Sequence, residues 1–155
     1  MDHLLDAMHR SETAMERFKT DLSDDVTPYV NECSSSGPIT STDCQALNQT
    51  VRTQISASAA SDLVNLQTSG ADVQHVGVLP WHGALRDARA AYGEHNKAWL
   101  SVVTKTISNP AAAFDKAANA NIDATFQTAH HRFDEAVPPF ALFHLQHRVD
   151  AIFAS

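Results

Sequence analysis

Lysine is scarce in this chain, confined to Lys19, Lys97, Lys105 and Lys116, and Lys plus Arg number 11 against 18 Asp plus Glu. A nucleic-acid surface needs clustered cations to displace counterions from phosphate. The sequence has no such stripe, which argues against nucleic acid and equally against docking on anionic lipid. Glycine (5) and proline (6) are also few, which fits long helices joined by a small number of turns. No apolar run approaches the ~18 residues of a membrane-spanning helix, so none is expected. The opening Met1-Asp2-His3-Leu4-Leu5-Asp6 lacks both the basic and the apolar region of a signal peptide. An exported form is therefore expected to be numbered from a processed chain, its signal encoded upstream.

Catalytic and cofactor motifs are lacking too. There is no Gly-x-Ser-x-Gly, no Gly-rich phosphate loop and no His-Glu-x-x-His. Without Cys-x-x-Cys-His, covalent haem attachment is excluded. Without Glu-x-x-His, a ferritin-like di-iron centre, which needs that pair on two helices, is excluded as well. An enzyme with a histidine base is a third reading, but no convergent acid, base and nucleophile accompany it, so the enzyme question stays open with the balance leaning against one.

Cysteine occurs only at Cys33 and Cys44, flanking the Ser/Gly/Pro-rich run 34–43. Two thiols across a turn between helices point to a disulfide, and a disulfide in turn points to a secreted or otherwise extracytoplasmic location. The alternative is two unrelated thiols at helix ends. Histidine is the unusual abundance. Protonating all nine would carry the formal charge from −7 to +2, so the surface field could invert between pH 7 and pH 5.

At 155 residues with 43% apolar content the chain is long enough for one cored domain, 1–155. Leu4, Leu5, Met8, Met15, Phe18, Leu22, Val26 and Tyr29 recur at helical spacing. Pro28 either kinks that helix or follows a fresh cap at Thr27. Thr42 with Gln45 forms a capping-box pattern opening a second helix, with Leu47, Val51, Ile55, Ala59, Leu63 and Leu66 inward and Gly70 as its stop. Residues 69–80 read as an extended crossover, long enough to be a candidate functional loop. Pro80 is expected to open a third helix to Ile107, with Trp81, Leu85, Ala88, Tyr92, His95, Trp99, Val102 and Thr106 on its stripe. Asn109-Pro110 starts a fourth through Val137, and a short piece from Phe140 to Phe153 follows Pro138-Pro139. The expected fold class is all-α, an antiparallel four-helix bundle with a short C-terminal fifth helix or kinked extension.

Three constellations carry candidate chemistry. His95 shares a stripe with Tyr92 and Trp99, where an imidazole among aromatic rings can ligate metal or haem or accept a proton; the alternative is a core-edge histidine bound to a carbonyl or carboxylate. His130 and Asp134, and His131 and Glu135, stand four apart and share helix faces. His144, His147 and Asp150 are spaced three apart, a pattern able to bind Zn or Cu. Solvated surface pairs are the alternative for both sets, as for the adjacent Asp24-Asp25. Noncovalent haem could use His95 with Tyr92, or His75 on the crossover. The function expected is that of an exported binding protein taking a protein partner, a small apolar ligand or its own copy as a homodimer. Trp81, Tyr92, Trp99, Phe140 and Phe143 would be the contact aromatics. The second reading is a histidine-based protein holding Zn, Cu or haem.

Overall fold

The structure, a computed structural model, describes residues 2–33, 41–111, 124, 127–128, 131–138 and 145–152. Every regular element among them is helical: α1 (Asp2–Cys33), α2 (Ser41–His75), α3 (Gly83–Ser108) and the single-turn helix Gln146–Asp150. Residues 131–136 are helical as well. The all-α class is thus the observed one. Of the expected fourth helix, the described part shows Phe133 and Val137 buried in the core, and the rest lies outside the described residues, as do Phe140 and Phe143 of the C-terminal piece.

Contacts along the helices fix their directions. Arg17 meets Asp62, the middle of α1 against the middle of α2, while Cys33 joins Cys44 at one end. These two helices therefore run antiparallel. Gln74 Nε2 donates to the Arg89 carbonyl and Ser56 Oγ to the Ile107 carbonyl, so α2 and α3 are antiparallel too. It follows that α1 and α3 are parallel, and large side chains span the gap between them: Tyr92 reaches Met8 and Glu12, and Trp99 meets Phe18 edge-on at 6.2 Å. Two apolar layers result. One gathers Leu4, Leu5, Met8, Val73, Leu85, Tyr92, Phe133, Val137, Val149 and Ile152. The other gathers Met15, Phe18, Ala59, Leu66, Trp99 and Val103.

Local chemistry explains where the helices persist and stop. α2 is rich in Ser and Thr, and Thr50, Thr53 and Thr68 each donate to the carbonyl four residues back, the arrangement by which hydroxyls are satisfied on a helix surface. Thr27 does the same to Ser23, so it does not cap a new turn, and α1 continues with Pro28 inside it. α2 begins at Ser41, one residue before the expected Thr42, within the usual latitude of helix ends.

Two expected boundaries are corrected. Gly70 does not stop α2; it is buried in mid-helix, and a Cβ built on it would overlap the Asn96 side-chain amide of α3. Glycine is there because the two helices approach too closely for a side chain, not because the backbone turns. The crossover 69–80 consequently shrinks, since α2 runs to His75 and only residues 76–82 connect it to α3. Nor does Pro80 open α3. The His82 N–H donates to the Leu79 carbonyl at 2.9 Å, closing a turn whose second residue is Pro80, a favoured place for its fixed φ; α3 begins at Gly83. The turn removes Trp81 from the inward stripe.

Candidate functional site

The aromatic and histidine candidates separate into an interior group and a rim. Tyr92, His95 and Trp99 lie three and four residues apart on α3 and point inward, as helical geometry requires. Tyr92 and His95 meet Glu12 of α1. Its Oε1 accepts from the Tyr92 hydroxyl at 2.7 Å and lies 2.9 Å from His95 Nε2, with the Met8 carbonyl oxygen 3.0 Å from the same hydroxyl. Next to this, Asn96 Nδ2 donates to Ser11 Oγ at 3.1 Å. Such donors offset the cost of holding a carboxylate inside an apolar layer. His95 is 2% exposed and its ring lies 5.5 Å from that of Tyr92. The arrangement places an imidazole beside a carboxylate, the alternative weighed against ligation, and packs Trp99 against Phe18 with Lys19 Nζ 5.4 Å above its ring.

Burial pushes the Tyr92 phenol far above its ordinary value, and the neighbouring Glu12 charge pushes it further. A raised folded-state value means the protonated form is the folded one. Its contribution is whole below pH 10.0, the unperturbed value, and is lost as pH rises above it. Unfolding free energy is therefore expected to fall by about 1.4 kcal/mol per pH unit above that point on this account. Urea titrations between pH 8 and 11 should show that slope reduced in Tyr92→Phe; equal slopes in parent and variant would refute it.

The rim lies at the opposite end from the disulfide. Trp81 is 75% exposed and Leu79 53%. Both belong to the connector 76–82, which is pinned by Arg89 Nη1 donating to the Val76 carbonyl at 2.6 Å. Beneath it lies a cleft of about 390 Å³ lined by Leu4, Val76, Gly77, Val78, Leu79, Leu85 and Leu145, with Asp2 and His82 as its polar groups. Tyr92, His95 and Trp99 do not line it. Arg148 closes the neighbouring surface by pairing with both Asp2 and Asp6, which ties the C-terminal turn to the start of α1. A second groove of about 460 Å³ runs between α3 and residues 131–136, floored by Ala90, Ala91 and Ala136 and edged by Asp87, Glu94, Arg132 and Glu135.

Of the expected metal ligands, His131 and Asp134 are exposed, with His131 Nδ1 3.8 Å from Glu135 Oε1; His147 is exposed on the C-terminal turn. His130 and His144 lie outside the described residues. Among the described residues no three His, Cys, Asp or Glu side chains converge as metal ligands, and no helix is long and apolar enough to cross a membrane. The Asp24-Asp25 pair splits: Asp24 is exposed, whereas Asp25 is half-buried with its Oδ2 enclosed, a correction to its reading as wholly solvated. Cys33 and Cys44 form the disulfide, with Cα atoms 5.6 Å apart, in the usual span.

Glu12, Ser11, Asp62 and Asn96 are the buried polar residues that apolar periodicity passes over among the described residues. A signal for the first three was available. The α1 stripe skips from Met8 to Met15, and the register positions between them are 11 and 12; likewise Asp62 falls three after Ala59 and four before Leu66. No family model, curated protein or solved structure matches the chain.

Proposed function

We propose that the chain is an extracytoplasmic binding protein that takes a small apolar ligand in the cleft beneath the connector 76–82. The observation that carries this is the cleft itself. Its volume of about 390 Å³ falls within the range of small-molecule sites, which are mostly apolar with a few polar groups that orient the ligand. The exposed Leu79 in its lining supplies apolar surface that a ligand would cover, and the exposed Trp81 stands two residues further along the same connector. The cysteine pair supports the location, and an antiparallel four-helix arrangement is part of the same reading, supported by the packing of Phe133 on Tyr92 and the burial of Val137 in the same core layer.

Gly77 offers a clean test. It lines the cleft, and a Cβ there meets no atom within 4 Å, so a large side chain fits at the cleft wall without displacing the core. The neutral fluorophore N-phenyl-1-naphthylamine is expected to bind the native protein saturably. Gly77→Phe should weaken that binding at least tenfold while leaving the helical circular-dichroism spectrum unchanged. Absence of saturable uptake, or uptake indifferent to Gly77→Phe, would overturn the reading.

A further inference from the structure

One carboxylate is buried without a hydrogen bond where α1 packs on α2. Asp62 is 1% exposed, and neither Oδ1 nor Oδ2 has a hydrogen-bond partner among the described residues. It occupies the core stripe of α2, between Ala59 and Leu66. From α1 it faces Arg17, Asp21 and Asp25. Arg17 Nε is 3.7 Å from Asp62 Oδ1, but it is solvent-exposed and shared with Asp21 Oδ2 at 3.5 Å. The enclosed Oδ2 of Asp25 also has no hydrogen-bond partner among the described residues. On α2 itself the nearest charged residues are Arg52 and Asp72, each about 15 Å along the axis. α3 contributes Trp99 and Val103 to the adjoining core layer, neither of them charged, while its Lys97 pairs outward with Glu94. Three acids thus meet one exposed cation at a helix–helix seam.

Such a site is poorly matched to full ionisation, because an exposed guanidinium repays little of a buried carboxylate's desolvation. We propose that Asp62, with Asp21 and Asp25, makes the α1–α2 seam proton-sensitive: the seam closes when it takes up a proton and loosens when it releases one. Burial, first, and the Asp21 charge, next, raise the Asp62 carboxyl above 3.8, with Arg17 opposing them and Asp25 adding to them. A raised folded-state value contributes stability that is whole below pH 3.8 and is lost as pH climbs through the folded value. The seam is therefore firmest in acid. Its loosening is local, because the cysteine bridge holds one end of α1 and the Arg148 pairs hold the other.

The test is amide hydrogen exchange on the full, oxidised chain at pH 3.5 and pH 7.5, with steps between, corrected for intrinsic rates. Protection across 17–25 and 58–66 is expected to rise several-fold at pH 3.5. Asp62→Asn, nearly isosteric and uncharged, should show the higher protection at both pH values. Two surface changes shift the transition in opposite directions: Arg17→Ala should move it to higher pH and Asp21→Asn to lower pH. The proposal is overturned if Asp62→Asn keeps the parental pH dependence, if it is less stable than the parent at pH 7.5, or if the two surface variants leave the midpoint in place.

Discussion

Replacing Glu12 with alanine is expected to lower the unfolding free energy by about 3 kcal/mol or more. Three effects act in the same direction. The Tyr92 hydroxyl loses the nearer of its two acceptors, at 2.7 Å, His95 Nε2 loses the carboxylate 2.9 Å away, and a void opens beside these two rings. Glu12→Gln keeps the volume and one acceptor oxygen, and should lose roughly 1 kcal/mol. The measurement is a urea midpoint at constant m value. A double-mutant cycle between Glu12→Ala and Tyr92→Phe should give a coupling of about 1 kcal/mol or more, since the two share a buried bond. A loss below about 1 kcal/mol for Glu12→Ala would mean that the network does not bear on the core.

Opening the Cys33–Cys44 bond has the second large effect. The bond spans a sequence separation of 11, and in the chain-entropy account a loop of that size restricts the unfolded chain by about 3 kcal/mol. The double variant Cys33→Ser/Cys44→Ser should be destabilised by about that amount, and dithiothreitol should reproduce the shift in the parent but not in the variant. The bond lies at the far end of α1 from the cleft, roughly 45 Å at the rise of an α-helix. Fluorophore binding should therefore survive reduction under conditions where the chain stays folded. Two reactive thiols in protein purified under air would contradict the bond and withdraw the main support for an extracytoplasmic location.

These two predictions differ in how visible their residues were. The cysteines could be paired from spacing and turn composition alone, because few geometries let a short polar turn join two helices without bringing its flanks together. Glu12 could not be found by hydrophobicity, since its face is apolar on either side and its own chemistry argues for solvent. Only its register within the stripe placed it inside. Asp62 was concealed in the same way, and Leu63 beside it, expected to be core, is half-buried.

Helix boundaries failed for a different reason. Gly70 and Pro80 both read as punctuation, since glycine commonly ends helices and proline commonly begins them. Here each answers to something non-local or to a competing local motif. Gly70 clears room for Asn96 on another helix, and Pro80 sits inside a turn closed by the Leu79 carbonyl. Moving the helix start from Pro80 to Gly83 carried Trp81 from the expected inner stripe to the surface and left Tyr92, His95 and Trp99 inside. The candidate aromatics were thereby divided between core and rim.

The sequence by itself determined the all-helical class, the inward faces of α1 and α3, and the cysteine pair, because these follow from periodicity and short-range spacing along one chain. Tertiary structure alone decided that a carboxylate, an imidazole and a phenol meet in the core, that glycine marks a close crossing, and that a cleft opens under the connector. Those depend on distances between residues tens of positions apart. Side-chain period says which way a residue faces, but not what stands opposite it.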